Sequence, residues 1–168
     1  MTFRTERLEV KPLDRKDLTK LVDEINNFDI AKYVVHVPHP YTMDDAENYY
    51  KRSIGNQFRK SIYCQGNLIG AIGLNPKEEG IIEVGYWIGV NHWRQGFATE
   101  ALRGMVNHLK INFPDIKKIV ANYVHGNSGS EKVLKRCGFK VVGEGEVYML
   151  SQDKNLKTTF VELDIREK

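Results

Sequence analysis

Between residues 81 and 101 the chain gathers its densest group of residues suited to holding a ligand. The run Ile81 to Val90 reads as a strand in which Ile82, Val84, Tyr86, Ile88 and Val90 fall on one face and Ile81, Glu83, Gly85, Trp87 and Gly89 on the other. The first face is core. The second combines an acid, a tryptophan and two glycines, and a glycine inside a strand marks close approach by a ligand or another backbone. Directly after it, Asn91-His92-Trp93-Arg94-Gln95-Gly96 feeds Phe97-Ala98-Thr99-Glu100-Ala101, a loop entering a helix. The first N–H groups of a helix lack partners and its dipole is positive there, so such a loop can cradle a phosphate, with Gly96 allowing close approach. A plain turn is the competing reading. No Gly-Lys-Ser/Thr follows, so it is not a Walker loop, and the three-glycine spacing of a dinucleotide site is absent.

A second helix start lies at Ser128-Gly129-Ser130-Glu131, which fits a capping box between Ser128 and Glu131. On that reading Asn127 and Ser130 are free to face a ligand. His36 and His39 stand three residues apart, but Pro38 and Pro40 oppose a helix there and no third ligand is near in sequence. This loop, with Tyr33 and Tyr41, reads as the lining of a substrate pocket rather than a metal site. Cys64 and Cys137 have no neighbour at zinc-ligand spacing and read as buried thiols.

The elements that must position these groups alternate. Phe3 to Leu13 reads as a first strand, Asp14 to Ile25 as an N-capped amphipathic helix, and Thr42 as the cap of a helix from Met43 to about Phe58. Ser61 to Cys64, Leu68 to Leu74 and Ile81 to Val90 are separated by turn signals at Gly66-Asn67 and Asn75-Pro76, giving an antiparallel meander. Helical spacing follows from Phe97 to Leu109, then a strand Lys118 to Val124, a helix Ser128 to Cys137, and strands Phe139 to Leu150 and Thr158 to Ile165. The fold class is a mixed α/β sheet.

The 168 residues suit a single domain spanning 1–168, and 41% apolar with 28% charged residues is ordinary globular composition. Twenty-five basic against 22 acidic residues leave a mild +3, spread along the chain, so dedicated nucleic-acid binding is not implied. No run is long and apolar enough for a membrane span and the first ten residues carry no signal-peptide pattern, so the expected setting is cytoplasmic, without membrane attachment.

Trp93-x-x-Gly96-x-Ala98-Thr99-Glu100-Ala101 resembles the pyrophosphate-binding signature of the GNAT superfamily of acyl-CoA-dependent N-acetyltransferases, in its RimJ/RimL-type form. Thr5-Glu6-Arg7-Leu8, Glu83-Val84-Gly85-Tyr86-Trp87, and Asn127-x-x-Ser130 with Lys135-x-x-Gly138-Phe139 agree with the same branch, in order. The resemblance implies a mostly antiparallel twisted sheet with a splayed central strand pair and flanking helices, holding acetyl-CoA in the splay. It implies that the amides of Gln95, Gly96, Phe97, Ala98 and Thr99 hold the pyrophosphate. Backbone from Trp87, Ile88, Gly89 and Val90 would pair with pantetheine, with the Ile88 N–H polarising the thioester carbonyl, and Asn127 would bond the pantetheine arm.

The same resemblance implies direct attack by a primary amine in a ternary complex, without a metal. Glu83 is the candidate to take the amine proton through water. Many members carry a Tyr where this chain has Leu134, as acid toward the leaving thiolate, and Ser130 is the candidate replacement. Tyr33, His36, Tyr41 and Trp87 are assigned to the acceptor. A protein N-terminal α-amine of ribosomal-protein type is the leading acceptor; a polyamine or antibiotic amine, or a non-catalytic acyl-CoA sensor, are the alternatives. A monomer or homodimer is expected.

Overall fold

The computed structural model describes residues 1–166. Eight strands form one sheet: β1 (Phe3–Arg4), β2 (Leu8–Lys11), β3 (Arg59–Cys64), β4 (Asn67–Pro76), β5 (Ile81–Ile88), β6 (Lys118–Val124), β7 (Lys140–Met149) and β8 (Lys154–Asp164). Their spatial order is β1-β2-β3-β4-β5-β6-β8-β7. Every pairing is antiparallel except β5 with β6.

That parallel pairing is short. Ile81, Ile82 and Glu83 face Lys118, Ile119 and Val120, and no register partner continues the pair. β5 meanwhile stays with β4 as far as Ile88, and β6 stays with β8 as far as Val124. Past Glu83 the two strands therefore follow different neighbours, and the sheet opens between them.

The helices are α1 (Leu18–Ile25), α2 (Phe28–Ala31), α3 (Met43–Ser53), α4 (Phe97–Asn112) and α5 (Ser128–Arg136). One sheet face packs on α4 and α5. Its core includes Ile72, Ile82, Val84 and Ile88 from the sheet and Leu102, Met105, Leu109 and Leu134 from the helices. Burying each such side chain contributes about 1.5–3 kcal/mol. The opposite face packs on α1 to α3, with Leu21, Ile25, Ala46, Tyr63 and Leu68 at its centre and Trp87 against it. The alternation of β5 thus sends Ile82, Val84 and Ile88 into one core and Trp87 against the other, while Gly85 on the Trp87 face stays exposed.

Three expectations need correction. The first strand is broken: Thr5 donates its N–H to the Leu8 carbonyl, and the Thr5-Glu6-Arg7 turn separates β1 from β2. The helix expected to reach Phe58 ends at Ser53, where Ile54 is extended and Gly55 takes φ 71°. Asp14 caps a short 3-10 turn, Arg15–Asp17, ahead of α1. Thr42 caps α3 as expected, in a box with Asp45.

Candidate active site

The phosphate-type loop is built by backbone geometry. Gly96 is the N-cap of α4 with φ 82°, in the left-handed region, and supplies no side chain to bond the first helical N–H groups. Those donors are left facing outward at the positive end of a 16-residue helix. The loop is clamped from behind. Arg7 donates to the Gln95 carbonyl at 3.0 Å and to Glu100 at 2.7 Å, and its guanidinium lies 4.4 Å from the Phe97 ring centroid. Thr5 and the Arg7 N–H also donate to Glu100, at 2.6 and 2.8 Å. Burial pushes the Glu100 carboxyl up, but the hydrogen bonds from Thr5 and Arg7 outweigh it and hold it below the usual carboxylate range. A cleft of about 900 Å³ opens beside Gly96, and Arg7, Arg103 and Arg136 stand in its walls.

Along β5 the register decides which backbone groups are available. Gly89 donates to the Ile69 carbonyl and Lys77 donates to the Ile81 carbonyl, so odd-numbered residues bond β4. The alternation then aims the N–H groups of Val84, Tyr86 and Ile88 into the gap that β6 leaves. The Ile88 carbonyl is already taken by the Trp93 indole N–H at 2.7 Å. Of the run Trp87 to Val90, then, the Ile88 N–H is turned to the gap, whereas that of Gly89 is turned away from it.

The two glycines on the Glu83 face serve different ends. A Cβ on Gly89 would fall 1.8 Å from Glu24 Oε2, so this glycine admits a protein carboxylate. Glu24, only 5% exposed on α1, bonds Lys20 at 2.6 Å and lies 3.5 Å from His92. Nothing in the isolated pattern of α1 marks it as a contact of the loop. A Cβ on Gly85 would meet nothing within 4 Å, so that glycine floors open space.

Glu83 sits where the parallel pairing ends. Lys77 Nζ lies 2.8 Å from its Oε2, and Asn122 Nδ2 donates to Oε1 at 3.4 Å. A carboxylate offers about four acceptor positions, so these two contacts leave capacity for water. Trp87 is half-buried two rows away on the same face, with Gly85 between.

On the other face of the gap the α5 start is arranged differently from expectation. Asn127, not Ser128, is the N-cap: its Oδ1 accepts from the Ser130 N–H at 3.1 Å, and the Ser128–Glu131 box does not form. Asn127 therefore keeps only its amide N–H₂ for another partner. The Ser130 hydroxyl lies 3.0 Å from the Tyr86 hydroxyl. Burial pushes the Tyr86 phenol well above its ordinary range, so it stays protonated. Strand alternation puts Tyr86 on the core face, and its ring packs against that core, but its hydroxyl reaches the α5 start. Leu134 is buried in the core.

Tyr33 donates to the Gly126 carbonyl at 3.2 Å, joining the loop after α2 to the approach to α5. His36 is exposed. Tyr41 is 6% exposed within the second core, so its ring faces protein rather than a pocket. Among the described residues no group of three His, Cys, Asp or Glu side chains is placed to hold a metal, and no helix is long and apolar enough to cross a membrane.

Residues 7–140 match the acetyltransferase (GNAT) domain model. The chain belongs to that family and is an N-acetyltransferase that uses acetyl-CoA as co-substrate. It is 27% identical over 150 residues to the uncharacterized N-acetyltransferase p20 of Bacillus licheniformis, covering 84% of each chain. It is 30% identical to the ribosomal-protein-serine acetyltransferase of Escherichia coli (strain K12) over 84 residues, 49% of this chain and 46% of that one. In fold it is similar to a GNAT-family acetyltransferase from Bacillus anthracis, with a TM-score of 0.88 at 18% identity over 99% of this chain and all of the other. It is similar also to RimL, the ribosomal L7/L12 α-N-protein acetyltransferase in complex with coenzyme A, with a TM-score of 0.83 at 17% identity over 98% of each.

Proposed function

We propose that this chain acetylates the α-amine of a protein N-terminus, in the cytoplasm, by direct attack within a ternary complex. One observation carries the site assignment: the Ile88 N–H faces the gap between β5 and β6, with the Gly96 helix start at one end and Glu83 at the other. Acetyl-CoA supplies an acetyl group activated as a thioester. The amides of Gln95, Gly96, Phe97, Ala98 and Thr99 hold its pyrophosphate, and Arg103 and Arg136 in the adjacent cleft add positive charge for phosphate. The Asn127 amide and β5 backbone hold the pantetheine arm, in the manner of an added strand. The Ile88 N–H donates to the thioester oxygen, where negative charge develops.

Glu83 accepts the proton of the attacking amine through water. An α-amine with pKa about 8 is about one-tenth neutral at pH 7, whereas a lysine amine near 10.4 is neutral about once in 2,500 molecules. The α-amine thus suits a base that Lys77 and Asn122 already engage. Ser130 passes its proton to the departing thiolate and takes one back from water, so the serine is regenerated. The Tyr86 hydroxyl, 3.0 Å from the Ser130 oxygen, can donate to it, which leaves the serine hydrogen free to point at sulfur. The acceptor enters over the Gly85 floor, past Trp87, with Tyr33 and His36 at the loop above.

Partial similarity to a ribosomal-protein-serine acetyltransferase supports the protein N-terminus as acceptor. A thiol-release assay with acetyl-CoA tests it: short peptides with a free N-terminus should release thiol faster than the same peptides blocked at the N-terminus. Equal release from both, or release with polyamines alone, would overturn it.

A further inference from the structure

On the face of the sheet that carries Glu83, Arg59 of β3, Gly73 of β4 and Gly85 of β5 are successive cross-strand partners. The two glycines leave a floor without side chains; a Cβ on Gly73 would find only the Phe58 carbonyl oxygen, at 3.7 Å. Neighbouring strands lie about 4.8 Å apart and residues rise about 3.4 Å, so the Cα atoms of Arg59 and Glu83 are separated by roughly 12 Å across this trough.

Arg59 is half-buried, and its guanidinium carbon lies 5.9 Å from the ring centroid of Tyr49 on α3. Among the described residues, neither the Arg59 guanidinium nor the Tyr49 hydroxyl has a hydrogen-bond or ion-pair partner. Arg52, Arg94 and Arg136, whose side chains likewise lack one among the described residues, are exposed, whereas Arg59 is half-buried against α3. Burial raises the Tyr49 phenol above its ordinary range, so it remains a donor. In the adjoining row, Ser61 Oγ is a buried polar atom without a hydrogen-bond partner among the described residues. Of the acids on this face, Glu83 pairs with Lys77, Glu9 with Arg4 and Lys11, and Glu162 with Lys118. The trough therefore offers unpaired donors and positive charge, which disfavours a second cation on the acceptor and favours an anion.

We propose that the amine acceptor carries a carboxylate, which Arg59 and Tyr49 receive at the far end of the trough while the amine lies toward Glu83. This rests on the acetyl transfer and acceptor entry given above. The carboxylate can come from an acidic residue following the N-terminus or from a free amino acid. A guanidinium pairs a carboxylate through two parallel bonds, and losing such a charge-assisted contact changes binding by roughly tenfold or more.

The test measures kcat/KM with amidated tripeptides Ser-Glu-Ala and Ser-Gln-Ala, free serine and spermidine. Wild type should favour the Glu peptide over its Gln counterpart by about tenfold. The ratio should fall toward one in Arg59→Gln and be partly kept in Arg59→Lys, with CoA affinity by calorimetry reporting an intact fold. A wild-type ratio near one, or a ratio undiminished in Arg59→Gln, overturns the proposal. If free serine is turned over and both peptides are not, the N-terminal reading fails and the carboxylate proposal stands. Turnover of spermidine alone overturns both.

Discussion

Gly96 is where a single substitution separates fold from cofactor binding. Its φ of 82° lies in the region that costs an L-residue about 1–2 kcal/mol. A Cβ there would meet only Arg7 Nη2, at 3.5 Å, an ordinary contact, so the cost to the free protein is conformational rather than a clash. Gly96→Ala should lower Tm by roughly 2–8 °C, at 2–4 °C per kcal/mol for a domain of this size. Gly96→Val adds a branch that is an outlier at positive φ, so the loop must leave this conformation and the Phe97 to Thr99 donors lose their aim. Each charge-assisted bond to phosphate is worth about 1.5–3 kcal/mol, and losing one or two weakens CoA binding by roughly 10²-fold. Calorimetric titration with CoA, beside a thermal melt, reads both effects. A folded Gly96→Val protein that binds CoA as tightly as wild type would refute the phosphate assignment.

Glu83→Gln should lower turnover at neutral pH, and the deficit should shrink as rising pH deprotonates the amine unaided; a flat deficit across a pH–rate profile would assign Glu83 to structure or binding. Ser130→Ala should lower kcat by between a few-fold and about 10²-fold with little change in acetyl-CoA affinity. Tyr86→Phe should cost less, and the double variant should be no slower than Ser130→Ala, because the phenol acts through the serine; additive losses in stopped-flow turnover would contradict this. Glu100 has its carboxyl held low in the fold, so its contribution to stability is complete above the ordinary carboxylate pKa and is lost as pH falls below it. Glu100→Gln should therefore lower Tm at neutral pH and flatten the fall of Tm across about pH 5 to 3.

The alternation of β5 is legible in the sequence because one face is wholly core while the other carries Glu83 and Gly85 over open space, and the glycine-bearing entry to α4 is legible because helix starts have local signals. What escaped were contacts between residues far apart in the chain. Thr5 to Arg7 reads as strand in isolation; it becomes a turn because Glu100 gathers its hydroxyl, amide and guanidinium. The α5 cap is Asn127 rather than Ser128: its Oδ1 accepts from the Ser130 N–H, just after Gly126 at φ 90°. A period of two classes Tyr86 as core and says nothing of the hydroxyl at its end, which meets Ser130 across 44 positions. Gly89 looked like a place for ligand until Glu24, on another helix, filled it.

The most direct measurement is fragment mass spectrometry of a peptide bearing both a free α-amine and an internal lysine, after incubation with this enzyme and acetyl-CoA, with released thiol counted in parallel. Acetyl on the α-amine, one per thiol released, is the expected result. Acetyl on the lysine ε-amine with the α-amine untouched, or an unmodified peptide from enzyme that readily acetylates a polyamine, would contradict it.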